Sequence, residues 1–257
     1  MIMADAALPP AAWQFPDPAD SDPHGEGLVA VGADLEPATI LAAYQAGIFP
    51  WFNPDDPICW WSPEPRCIMR PETFKPSKTL IRSLKKNQYT LTLSQDFEAV
   101  MRACAGARAY AEGTWINEGI IHGYCGLHAA GLAHSVEVWE LDALSGQQTL
   151  VGGLYGVQIG RAFFGESMFS LRTDVSKMAF YFLMQLCAAS RFPFVDCQLP
   201  NTHLLSLGAM TLPRAQFLHE LKPVLIDPAP NWQMLHNHQF QCSELLTKSL
   251  FSGFIQG

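Results

Sequence analysis

The segment from Ala133 to Gln198 carries the pattern that most restricts the fold. "AHSVEVWE", "TLVGGLYGV" and "GRAFFGESMF" are alternating or continuous apolar runs of strand length, joined by the turn-like "LDALSG" and by "QIG". They predict three consecutive strands in an antiparallel meander. An apolar helix from Met178 to Ala189 follows, with Thr173 or Asp174 as its cap, and then the run "FPFV" enters a strand that ends at Asp196 and Gln198. Strand, strand, strand, helix, strand is the order of an α+β sheet with helices packed against it. The Met178 helix contains Gln185 and, at about a dozen residues, is too short for a bilayer and suits a buried core.

The chain has 257 residues, of which 49% are apolar and 16% charged, enough to bury a substantial core and too little charge for a disordered chain. Seven cysteines form no C-x-x-C pair, so neither a zinc ribbon nor a disulfide framework is expected. No Lys or Arg precedes Arg66, so the amino terminus lacks the basic flank of a targeting segment. The net charge of -8 is unevenly placed: residues 1–65 hold ten carboxylates, whereas the remainder holds sixteen basic and fourteen acidic groups. Arg66, Arg70, Lys75, Lys78, Arg82, Lys85 and Lys86 stand together against Glu72 alone, a density of charge suited to phosphates.

The first two dozen residues, rich in Ala, Pro and Asp, predict an extended arm. "GLVAVGADLEPATILAAYQAGIFPWF" then predicts a short strand, a turn and a helix that starts at Pro37, with Asp34 and Glu36 at its positive end and Gly47 at its stop. In "FPWFNPDDPICWWSPEPR", Trp51, Trp60 and Trp61 lie among five prolines that stiffen the backbone around them. These features predict a small amino-terminal domain over residues 1–64 and a larger one over 65–257. Ser77 caps a predicted helix on which Lys78, Arg82, Lys85 and Lys86 form one basic stripe, and a second helix is expected from Asn117 to about Ala130.

Period-two alternation would set Asp196 and Gln198 on one face of their strand and Cys197 on the other, so that a carboxylate and an amide stand side by side. Glu166 ends the third meander strand, between Gly165 and Ser167. If the two strands are neighbours, Glu166 and Asp196 open into one cleft. Taken singly, each acid is equally at home satisfying a turn or backbone amides. His122, His128 and His134 have no metal-ligand spacing, Cys125 sits mid-helix among apolar residues, and "GGLYGVQIG" lacks the order of a dinucleotide loop.

Several blocks in order, "GLVAVGADLEPATILAAYQAGIFPWF", "WWSPEPR", "GTWI", "AHSVEVWE", "LVGGLYGV", "FFGESMFS", "DVSK" and "VDCQLPNTHLLSLGA", resemble the motifs of leucyl/phenylalanyl-tRNA protein transferases. The resemblance implies a small amino-terminal domain and a larger acetyltransferase-like, GNAT-related domain with a mainly antiparallel sheet flanked by helices. It implies a cytoplasmic enzyme without metal or coenzyme; the sequence itself, with no heptad, exposed apolar stripe or spanning helix, leads us to expect a monomer without membrane attachment. Its partners would be leucyl-tRNA and phenylalanyl-tRNA, and proteins with amino-terminal Arg or Lys that the transferred residue marks for N-degron degradation. Position by position, Asp196 and Gln198 match the pair that handles the attacking amine, and Glu166 matches an acceptor-binding acid; on chemical grounds Gln198 would accept a hydrogen bond from the amine, and Asp196, bonded to the Gln198 amide, would fix its orientation. Trp51, Trp115, Leu154, Phe163, Met168 and Val195 match the aminoacyl pocket or the site of the terminal adenosine. A coenzyme A dependent acetyltransferase is disfavoured by "SLRTDVSK", where a pyrophosphate-binding glycine turn would be needed. A non-catalytic adaptor for amino termini is disfavoured by the joint presence of "DCQ", "GES" and the basic stripe.

Overall fold

A computed structural model of the chain describes residues 8–22, 24–108, 114–142, 144–247 and 250–255. The helices are α1 (Pro18–Ser21), α2 (Pro37–Gln45), α3 (Lys78–Lys85), α4 (Phe97–Arg108), α5 (Glu118–Ala129), α6 (Val175–Ala189), α7 (Thr202–Ser206) and α8 (Arg214–Ile226). The strands are β1 (Leu28–Val31), β2 (Phe49–Pro50), β3 (Cys59–Trp61), β4 (Arg66–Met69), β5 (Tyr89–Leu93), β6 (Ala133–Leu141), β7 (Gln148–Ile159), β8 (Ala162–Ser170), β9 (Val195–Gln198), β10 (Met210–Leu212) and β11 (Phe240–Gln241).

Strands β1, β3 and β2 form a small antiparallel sheet; the other eight form one sheet in the order β10-β4-β9-β8-β7-β6-β5-β11. The meander β6–β7–β8 sits at its centre, as the alternating runs predict, and among the pairings of this sheet β8 with β9 is parallel. A parallel neighbour needs a crossover, and α6 supplies it. Both faces of the sheet are covered, so successive strand residues enter different cores. Leu154 and Phe163 join the core under α6, whereas Tyr155 and Phe164 join the core that also holds residues of α2, α4 and α5.

Helix ends follow local chemistry. The Ser77 hydroxyl accepts from the Leu80 N–H at 3.1 Å, the Asn117 side chain accepts from the Ile120 N–H at 3.0 Å, and Gly47 closes α2 at a φ of +73°. Helix α6 starts at Val175, earlier than expected, and Asp174 precedes it with left-handed backbone and no side-chain cap. Its carboxylate instead accepts from the Ser83 hydroxyl of α3 at 2.8 Å and from Lys177 at 2.9 Å. The amino-terminal arm is packed rather than extended in isolation: Phe15 meets Trp60 with ring centroids 4.7 Å apart, and Asp22 is buried against Arg214. Strands β4, β5 and β10 and helices α4 and α8 have no counterpart among the elements expected from the sequence. Among the described residues, no helix is long and apolar enough to cross a membrane.

Candidate active site

A cavity of about 470 Å³ opens where the ends of β8 and β9 approach the loop that follows β2. Leu154, Met168, Phe180, Leu183 and Val195 give it apolar walls, Trp51 and Trp115 stand beside it, and Glu166 and Gln198 face it with Cys197, Asn201 and His203. Phe180 and Leu183 come from α6, whose apolar pattern marked it only as core. Phe163 is a correction: it is buried behind the wall, with its ring 6.0 Å from that of Trp232, and does not line the cavity.

Two β-bulges aim the polar residues. Tyr155 pairs with Ser167 and Gly156 with Gly165, which leaves Glu166 as the extra residue of β8. On the other side, Ile68 pairs with Asp196 and Cys67 with Gln198, which leaves Cys197 as the extra residue of β9. A bulge re-aims the side chains around it. Gln198 also has a φ of +54°, a left-handed conformation that costs a non-glycine residue about 1–2 kcal/mol and therefore must be held by its surroundings. The result overturns the simple alternation: Gln198 and Cys197 face the cavity, and Asp196 does not.

Asp196 is fully buried. Its carboxylate takes a two-pronged hydrogen bond from Arg66, Nε to Oδ1 at 2.9 Å and Nη2 to Oδ2 at 2.6 Å, and Oδ1 also accepts from the backbone N–H of Gln198 at 3.0 Å. The Asp196 carboxylate thus holds the Gln198 backbone, not its side-chain amide. Arg66 is corrected in the same stroke: it is fully buried and belongs to this pair instead of the phosphate-binding run, and Arg70 is bound to Glu220 at 2.6 Å. Lys78, Arg82, Lys85 and Lys86 remain as an exposed stripe on and just after α3, with Leu80 and Leu84 on its buried side.

The Gln198 side chain is oriented by Glu166, whose Oε1 accepts from Nε2 at 2.8 Å. That leaves the amide oxygen, which accepts no hydrogen bond among the described residues, available to the cavity. Glu166 is itself held by two phenols: Tyr44 donates to Oε1 at 2.5 Å and Tyr124 to Oε2 at 3.2 Å, and the two hydroxyls lie 2.6 Å apart. Burial pushes the Glu166 carboxyl up to about 7; the Tyr44 hydrogen bond opposes that rise, the Asp196 charge adds to it, and Tyr124 and Arg66 oppose it more weakly. Burial, and next the Glu166 charge, hold both phenols well above the usual tyrosine range, so they serve as donors. Tyr44 comes from α2 and Tyr124 from α5, and neither stands out locally in the sequence. Among the described residues no group of three or more His, Cys, Asp or Glu is arranged to hold a metal.

The leucyl/phenylalanyl-tRNA protein transferase family matches residues 68–222, and the N-terminal domain of that family matches residues 33–64. The chain belongs to this family. A leucyl/phenylalanyl-tRNA–protein transferase of Psychrobacter cryohalolentis is 47% identical over 86% of this chain and 83% of its own length. Proteins of the same name from Shewanella sediminis and Cellvibrio japonicus are 50% and 45% identical, over 81% and 90% of this chain and 86% and 95% of their own. Among solved structures, L-PGS from Bacillus licheniformis aligns with 63% of this chain and 50% of its own at 11% identity, with a TM-score of 0.37.

Proposed function

We propose that this aminoacyltransferase moves Leu or Phe, and Met less readily, from aminoacyl-tRNA to the α-amine of proteins that begin with Arg or Lys. The observation that carries this reading is the free oxygen of Gln198, held by Glu166 at one side of an apolar cavity of about 470 Å³. That volume falls in the usual range for a small-ligand site, and apolar walls favour large side chains by about 1–3 kcal/mol per methylene without excluding Met.

The donor ester is already activated, and an α-amine with a reference pKa of about 7.7–8.0 is partly free base at neutral pH. The amine nitrogen attacks the ester carbonyl carbon; a C–N bond forms, the C–O bond to the ribose breaks, and the proton lost by the amine restores the ribose hydroxyl. Gln198 is too weak a base to remove that proton. Its amide oxygen accepts one N–H of the amine and directs the lone pair at the carbonyl, and such positioning supplies up to roughly 7–11 kcal/mol in model reactions. The Glu166 carboxylate, with acceptor capacity beyond its three hydrogen bonds, receives the cationic side chain of the acceptor. Trp51 and Trp115 line the cavity, where an aromatic ring stacks on the terminal adenosine or encloses the transferred side chain. Lys78, Arg82, Lys85 and Lys86 offer point charges to tRNA phosphates.

The reading is tested by transfer of radiolabelled Leu from leucyl-tRNA to a peptide that begins with Arg, beside one that begins with Gly. Label on the Arg peptide alone is expected. No label on either, from folded protein that binds the charged tRNA, would reduce the chain to a binding module.

A further inference from the structure

Arg66 does not line the cavity, yet three structures meet at its guanidinium. Besides its two bonds to Asp196, Nη1 donates to the carbonyl of Gly47 at 3.0 Å, and the guanidinium carbon lies 5.0 Å from the Phe49 ring and 4.5 Å from the Phe217 ring. Gly47 ends α2, the helix that carries Tyr44, and Phe49 in β2 lines the cavity. Asp196, held by Arg66, fixes the N–H of Gln198 and with it the left-handed turn.

We infer that Arg66 is a positioning residue for aminoacyl transfer: its fork clamps Asp196 so that the Gln198 oxygen is presented to the attacking amine, in fixed relation to the Phe49 wall. The inference rests on the transferase reading above. A lysine retains the charge that Asp196 needs but cannot span both carboxylate oxygens and the Gly47 carbonyl, because a single ammonium lacks the planar fork. Arg66→Lys therefore keeps the buried acid paired while it releases the turn.

The experiment is single-turnover transfer from bound leucyl-tRNA to the Arg-initiated peptide by wild type, Arg66→Lys, Gln198→Ala and the double variant, each checked for folding. Arg66→Lys is expected to lose roughly tenfold to a hundredfold in rate, with an unchanged Kd for leucyl-tRNA, measured separately, and no further loss in the Gln198→Ala background. In the same variant, the side-chain amide NMR signals of Gln198, identified by their loss in Gln198→Ala, are expected to shift. A wild-type rate in Arg66→Lys, an equal fold-loss with Gln198 absent, or unmoved Gln198 signals would each overturn the inference. If Arg66→Lys does not fold, Arg66→Gln combined with Asp196→Asn replaces the ion pair by two amides. That pair is expected to transfer faster than Asp196→Asn alone, and a rate no faster would overturn the inference. Inactive wild type would sink the transferase reading itself, and the NMR signals would still report on the clamp.

Discussion

At the residue scale, the site depends on one carboxylate whose protonation is balanced near neutrality. Burial brings Glu166 to about 7, so the anion that orients Gln198 and receives a cation is populated only as pH rises through that value. Transfer is therefore expected to rise through about pH 7, below the rise due to the amine itself at about 7.7–8.0. Glu166→Gln keeps an acceptor for Tyr44 and Gln198 but has no charge: the lower limb of the rate–pH profile disappears, and the KM for the Arg peptide increases more than that for leucyl-tRNA. A profile unchanged by Glu166→Gln would refute this role. Glu137 provides a second case, away from the cavity. It is fully buried in β6, accepts from Thr92 at 2.6 Å and Ser135 at 2.5 Å, and is likewise raised to about 7 by burial, against the pull of those hydroxyls. Since its folded value lies above the unfolded one of 4.5, the native state binds the extra proton between those values. Stability then falls as pH rises from about 4.5 to 7, by up to about 3 kcal/mol for this group. Denaturant unfolding of Glu137→Gln at several pH values should show a correspondingly flatter decline; an identical slope would show that Glu137 does not titrate as described.

At the element scale, close helix packing creates the Glu166 site. A Cβ on Gly123 of α5 would lie 2.3 Å from the Leu35 carbonyl oxygen, which is backbone and cannot step aside. Gly123 thereby lets α5 approach the start of α2 and brings Tyr124 to Tyr44. Gly123→Ala is expected to destabilise the protein by roughly 1–3 kcal/mol and to slow transfer, measured by denaturant midpoint and single-turnover rate; full stability would contradict this packing. The basic stripe of α3 makes a separate forecast: neutralising Lys78 or Arg82 lowers tRNA affinity and reduces the salt slope of binding by about one for each phosphate left without its cation. A salt slope unchanged in both variants would remove the stripe from the interface. The meander, α3 and α5 were legible because alternation, a Ser or Asn cap and a basic or apolar stripe are local patterns. The bulges at Glu166 and Cys197 were not, because a strand that gains one residue reads like any other; strict alternation then placed Asp196 in the cavity.

At the scale of the whole molecule, the site is framed by interactions between residues distant in sequence, and such interactions leave no local signal. Arg66 and Asp196 are 130 positions apart, and in sequence Arg66 is only the first of a run of cations. Arg214 is equally anonymous, yet it donates to the Asp22 carboxylate at 2.6 Å and to the Ser62 carbonyl at 2.9 Å, while the Ser62 hydroxyl donates to the Gly47 carbonyl that Arg66 also holds. This chain of bonds ties the amino-terminal arm and α8 to the loop beside the cavity. Arg214→Met leaves Asp22 buried without its cation and is expected to cost about 3–5 kcal/mol in urea unfolding; a loss within experimental scatter of zero would mean that the arm is not clasped. The blocks around "DCQ" and "GES" hold Gln198 and Glu166, which face the cavity, while the frame that aims them became visible only in three dimensions. The role of Gln198 is tested most directly by the single-turnover rate of Leu transfer to an Arg-initiated peptide by Gln198→Ala, with leucyl-tRNA binding measured alongside. A loss of roughly a hundredfold or more is predicted, with binding unchanged; transfer at the wild-type rate would contradict that role.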